Sequence, residues 1–149
     1  PTPAALRAGM FAGSSHDLSG QDLSGENLRG ANLAYTKLVG VNFSGVDLTG
    51  ASLQGCDLRH ANLSSCTMVG TTLWEADMRG ADLRNTTISH DNGGVIARVR
   101  LEGADLRGAV ITCPIFQCYY DGLTQWPDEF DQDAHGAVRV DQAPQTPPA

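Results

Sequence analysis

The chain has 149 residues, 41% of them hydrophobic, and a formal net charge of −7. That length suits one domain, no stretch approaches the roughly 18 apolar residues of a membrane span, and no signal-peptide pattern stands out. The residues present favour the cytoplasm, while the start at Pro1 leaves a trimmed targeting segment open.

Residues 1–15 read as an N-terminal cap. Thr2 suits a helix N-cap, Pro3 the first helical position and Gly9 a stop. Leu6, Met10 and Phe11 are placed to plug the end of the core that follows.

From residue 16 to 118 a unit of five repeats. A large apolar centre falls on every fifth position from Leu18 to Ile88, then resumes at Ile96, Leu101, Leu106, Ile111 and Phe116, making twenty centres. A period of five fits neither the 3.6 of a helix nor the 2 of a strand, and points to a solenoid. The residue two before the centre is nearly always small, as in Ala31, Ala51, Cys56, Cys66 and Ala76. Side chains two apart share one side of an extended segment, so each unit sends one large and one small residue inward. The last residue is often Gly, which allows the positive φ of a tight corner. Asp, Asn or Thr just before the centre can bond nearby backbone and hold that corner. One unit alone has no partner for its apolar side, and stacked units supply it.

The runs Gly30-Ala31-Asn32-Leu33, Gly80-Ala81-Asp82-Leu83-Arg84 and Gly103-Ala104-Asp105-Leu106-Arg107 resemble the A-(D/N)-L-x-x repeat of pentapeptide-repeat proteins. The resemblance covers residues 16–118. It implies an all-β fold, a right-handed quadrilateral β-helix (solenoid) with four repeats per coil and so about five coils. At roughly 4.8 Å per stacked strand such a rod stands about 24 Å tall.

One interruption breaks the period. Ile88 to Ile96 spans eight residues, three more than a unit, and the extra ones fit best at Asp91-Asn92-Gly93, where Asn-Gly suits a tight turn. The insertion at 91–93 reads as a tolerated surface bulge, with a recognition loop as the alternative.

Residues 119–141 are aromatic and acidic, with six acids against one base, Arg139. Between His16 and Cys118 there are eleven acids and eight bases, so the coil is nearly balanced. No basic stripe dominates, which speaks against direct nucleic-acid binding. The run from Tyr119-Tyr120-Asp121 through Trp126-Pro127 and Phe130-Asp131 to Gly136 resembles the tail that follows the coil in many members of the same family. That resemblance implies a C-terminal cap with Trp126 and Phe130 as its plug. The Pro-rich end, residues 142–149, reads as a disordered tail.

Cys56 and Cys66 occupy small inward positions and read as core filler. Cys113 and Cys118 fall at corner positions, as free thiols or as a strained pair. No spacing of Cys and His matches a zinc site.

Counting units in fours assigns outward residues to faces. Arg59, Arg79, Arg84 and Arg107 fall on the first and second faces, each two residues after Asp57, Asp77, Asp82 or Asp105. They read as compensated surface charge, with an anion-binding patch as the alternative. Val69, Trp74, Val95, Val110 and Ile115 fall on the third and fourth faces and form the candidate interaction surface. Outward apolar residues need cover, from the C-terminal segment folding back or from a partner.

No nucleophile–base pattern, phosphate loop or metal motif is present, and a regular coil offers few concavities. The chain therefore reads as a non-enzymatic binding or scaffold module without cofactor or metal. It is expected as a monomer or homodimer with an unknown protein partner and no membrane contact. The family resemblance implies an alternative, DNA mimicry, because some pentapeptide-repeat proteins inhibit or protect DNA gyrase. A purely structural domain is the third reading.

Overall fold

Each unit of five makes one corner, and the corner is built the same way throughout. The computed structural model describes residues 16–89, 96–112, 115–132 and 135–141. In a typical unit the carbonyl of the centre accepts the N–H three residues on: Ala31 N–H donates to Leu28 O at 3.0 Å, and Ala51 N–H to Leu48 O at 2.9 Å. The third residue of that turn has left-handed φ, at 67° for Gly30 and 70° for Gly50. The residue before the centre locks the corner, as its type suggests. Asn32 Oδ1 accepts from Ala34 N at 3.2 Å, and Asp47 Oδ1 from Thr49 N at 2.9 Å.

Successive turns stack through parallel bridges spaced by twenty residues: Asp17 to Lys37 to Asp57 to Asp77, and Asp22 to Asn42 to Asn62 to Asp82. Two further columns run from Asn27 through Asp47 to Thr67, and from Asn32 through Ser52 to Thr72. Longer pairings carry the later part. In the third column β1 (Thr67–Val69), β2 (Thr87–Ser89) and β4 (Val110–Ile111) form a three-stranded parallel sheet. β3 (Ile96–Ala97) pairs with β5 (Ile115–Phe116), and β6 (Tyr119–Tyr120) with β7 (Val138–Arg139). The described residues hold strands and turns and no helix.

The centres and the small inward residues form one buried core, with Phe43 as its largest fully buried side chain. A small apolar cavity of about 20 Å³ remains in the later coils, lined by residues such as Met78, Val99, Leu101 and Trp126.

Two departures from strict period are written in the bridges. Asp77 pairs with Arg100 and Asp82 with Asp105, 23 residues apart, so three residues are added between Ser89 and Ile96. The inserted residues 91–93 and the cap residues 1–15 lie outside the described residues. Further on, Ile96 pairs with Ile115 and Arg100 with Tyr119, 19 apart, so one residue is lost after Ile111.

That loss corrects three expectations. Ile115, expected to point outward beside a centre at Phe116, is itself the centre, paired with Ile96 and 2% exposed. Cys118, expected at a corner, takes the small inward position and is buried, and Tyr120 is the buried centre of its unit. The physical reason is the alternation of Cys118 and Tyr120, a small and a large residue two apart, which fills the core only in this register. Cys113 lies outside the described residues. The acidic segment then continues the ladders: Tyr119 pairs onward with Val138, and Asp105 with Gln125.

Candidate interaction surface

The outward positions divide by column. On the first two columns the bidentate geometry of Arg and Asp two residues apart recurs four times. Arg59 Nε and Nη2 donate to Asp57 at 2.8 and 2.7 Å, and Arg79 donates to Asp77 at 2.8 and 2.6 Å. Arg84 grips Asp82 at 2.9 and 2.7 Å, and Arg107 grips Asp105 at 3.0 and 2.7 Å. These bonds hold the Asp57, Asp82 and Asp105 carboxyls below the usual range and push the guanidiniums up. Arg and Asp both serve the corner, because each carboxylate also accepts the backbone N–H of its own arginine. The residues considered for an anion patch thus form self-compensated pairs, and an exposed pair contributes only about 0–1 kcal/mol.

The third and fourth columns carry little charge in this region. Val110 is 53% exposed and Trp74 45%, while Val69 is half-buried. In the three-stranded sheet Thr67, Thr87 and Val110 stack in one line, and Val69 stands opposite Ser89 in the next. This makes a flat uncharged surface with Trp74 just past its Gly70 corner. Val95 lies outside the described residues, and Ile115 belongs to the core. The C-terminal segment extends the first and second columns, and it leaves Trp74 and Val110 exposed.

Some exposed apolar residues escaped the sequence reading. Tyr35 is 49% exposed at a corner where Gly is usual. Its signal was there: a bulky side chain at the corner of this turn can only point out. Leu123, Val138 and Val140 are exposed near the C-terminal end. Their exposure depends on where the ladder ends, which the period does not reveal.

Cys56 and Cys66 are buried free thiols whose Sγ donates to Leu33 O and Phe43 O, each at 2.9 Å, and burial pushes both thiols up to about 12. Trp126 and Phe130 pack against the core, with their rings stacked at 5.4 Å. No cluster of three or more His, Cys, Asp or Glu able to hold a metal is found among the described residues. No helix there is long and apolar enough to cross a membrane.

Comparison with known proteins sets this geometry in context. The family model for pentapeptide repeats matches residues 17–50 and 47–85, in eight copies. Among solved structures the chain is similar to Rfr23, a pentapeptide repeat protein from the cyanobacterium Cyanothece 51142. The match has a TM-score of 0.61 at 20% identity, and covers 78% of this chain and 86% of that one. It is also similar to HetL from the cyanobacterium Nostoc sp. PCC 7120, with a TM-score of 0.54 at 24% identity over 75% of this chain. HetL, a pentapeptide repeat protein involved in heterocyst differentiation regulation, is covered over only 49% of its length. QnrB1, a plasmid-mediated fluoroquinolone resistance protein, is matched at a TM-score of 0.44 and 16% identity, covering 85% of this chain and 92% of that one, too loosely to carry an argument. No curated protein matches the sequence significantly. The first two likenesses show the fold alone, a right-handed β-helix.

Proposed function

We propose that this pentapeptide-repeat chain is a rigid, non-enzymatic binding module that recognises a protein partner through its third and fourth columns. The carrying observation is the segregation of its surface. Four Asp–Arg pairs on the first two columns are compensated within the chain, while exposed Val110 stands on the uncharged sheet of the third column and exposed Trp74 past the Gly70 corner on the fourth. Exposed apolar patches on a rigid frame mark interaction sites, and Trp is the side chain most often central to them. The frame we read as a four-sided coil of about five turns, a reading supported by four bridge columns and their twenty-residue spacing.

DNA mimicry would need columns of unbalanced carboxylates, and the Asp57, Asp77, Asp82 and Asp105 carboxylates each carry an arginine. A gyrase supercoiling assay titrated with the protein decides this alternative: inhibition or drug protection at amounts stoichiometric with gyrase would make the acidic surface the active one. The main reading is tested by comparing proteins retained by the wild type, by Trp74→Ala with Val110→Ser, and by Arg59→Ala with Arg79→Ala. A partner lost only with the first double variant supports the reading. A partner lost only with the second moves the site to the charged columns.

A further inference from the structure

Above the level of β4 the first and second columns continue, and the third does not. Ala104 C=O accepts Gln125 N–H at 2.9 Å, and Leu106 N–H donates to Gln125 O at 2.7 Å. Val99 C=O and Leu101 N–H bind Tyr119 in the same way, at 2.9 and 2.8 Å. In the third column each level offers the same two groups to the level above. Val46 C=O accepts Thr67 N–H at 3.1 Å, and Leu48 N–H donates to Thr67 O at 2.8 Å. At the top of that column these places belong to Ala109 C=O and Ile111 N–H. No described residue bonds either group, and β4 is the end strand of its sheet.

The stretch that could have closed this edge passes it by. Gln125 still lies over Asp105 in the second column, and Gly136 already accepts Gln117 N–H at 3.0 Å in the fourth. The described residues between them do not join the third ladder. They turn instead, with Phe130 N–H on Pro127 O at 3.2 Å and the Phe130 ring stacked on Trp126. Between Trp126 and Val138 stand the acids Asp128, Glu129, Asp131 and Asp133, and no Lys or Arg. Asp128 and Glu129 are exposed and form no ion pair among the described residues. On β4 and just past it, Val110 and Thr112 are exposed and uncharged.

We infer that the open edge of β4 binds an extended, basic segment of a partner protein as the next strand, an inference that rests on the protein-recognition reading above and names the partner's chemistry. An open ladder takes a strand, because an extended backbone presents its own N–H and C=O at the spacing of the edge. Val110 and Thr112 favour a β-branched residue stacked over them. Unpaired carboxylates at the rim favour Lys or Arg. The chain itself offers no such segment. Residues 142–149 contain no Lys or Arg, and Pro144, Pro147 and Pro148 have no N–H for a ladder. A second copy offers none either. Its described arginines are all ion-paired within their own chain, and Lys37 sits inside the first ladder, bridged to Asp17 and Asp57. Before residue 16 the single base is Arg7. The same acids also stand at the matching end of that copy, so two such ends repel.

The test uses the full-length protein and a synthetic decapeptide of alternating Lys and Val. At saturation the exchange of the Ile111 amide should slow about ten-fold, with resonance shifts at Val110 and Thr112. The same peptide with N-methylated backbone amides should lose that protection, and a peptide of alternating Glu and Val should not bind. Asp128→Asn with Glu129→Gln changes only exposed side chains, and should weaken Lys–Val binding about ten-fold and flatten its salt dependence. Binding that leaves Ile111 exchange unchanged would overturn the inference, as would equal binding of the Glu–Val peptide. So would an Ile111 amide already protected in the free protein: protection that survives dilution would assign the edge to the chain's own residues, and protection lost on dilution to a second copy. A protein partner lost on Trp74→Ala with Val110→Ser, whose wild-type complex leaves Ile111 exchange fast, would sink this inference and leave the broader reading standing.

Discussion

The imidazole of His60 covers the Gly80 corner of the coil above: a Cβ built on Gly80 would stand 2.6 Å from His60 Nδ1. The same relation joins Tyr35 to Gly55 and Asn85 to Gly108. At these three corners a side chain larger than hydrogen rises over the next corner, and that next corner is glycine. Gly50, above Gly30, meets nothing within 4 Å. Both glycines share left-handed φ, 68° and 70°, so a substitution at either carries the roughly 1–2 kcal/mol of that conformation. We expect Gly80→Ala to destabilise by more than Gly50→Ala, because only the former must also displace a ring. The excess should vanish in the His60→Gly background, with a coupling of about 0.5–2 kcal/mol in a double-mutant cycle read by urea unfolding. Equal losses at the two glycines would show that the corner relation carries no energy.

Acid should loosen the corners. The Thr49 hydroxyl and amide, with the Arg29 guanidinium beyond them, hold Asp47 down to about 2, and Asp17, Asp22, Asp57, Asp82 and Asp105 are also lowered. A carboxyl lowered on folding contributes stability that is fully present above its unfolded value, about 3.9, and is lost as pH falls through the folded value. Thermal midpoints should therefore be flat near neutrality and drop between about pH 4 and 2. Asp47→Asn keeps the acceptor, as Asn32 and Asn42 already do, so it should fold and show a shallower drop. A drop centred near pH 6 would implicate histidines instead.

The two tryptophans should behave oppositely. Trp126 meets Tyr120 edge-on at 5.5 Å and stacks on Phe130, against the core. Truncating a large core aromatic removes about 3–5 kcal/mol, and for partly buried Trp126→Ala the lower end is expected. Trp74→Ala touches no packing of that kind and should stay within about 0.5 kcal/mol. Emission should follow suit: the Trp126→Ala protein emits redder than the Trp74→Ala protein. Similar losses for both would place Trp74 under cover.

Much of this was legible in the residues. The five-residue period, the small inward partner and the Asp or Asn before each centre follow from alternation and turn chemistry, and the Ala31-Asn32-Leu33 unit shows all three. Register after Ile111 was not legible. Ile115 and Phe116 are equally good centres, and only the onward match of Cys118 and Tyr120 to the core chooses between them. The surface was half legible. Trp74 and Val110 stand out from the period, but Tyr35 gains its role from Gly55, twenty residues away, and only stacking brings those two together.

Thiol chemistry offers a direct test of how tightly the coil closes. The Cys56 and Cys66 side chains are about 1% exposed, bond to carbonyls, and are pushed by burial up to about 12. Because the thiolate is the reactive form, neither should be alkylated at pH 8 in the native protein. Cys118 is buried as well. In a Cys113→Ser chain, iodoacetamide should label almost nothing until denaturant is added, and then all three thiols in one cooperative step. Rapid native labelling of Cys118 alone would mean that the last turns open locally. Labelling of Cys56 or Cys66 would mean that the stacked coil itself does not close, since their positions lie between complete turns below and above.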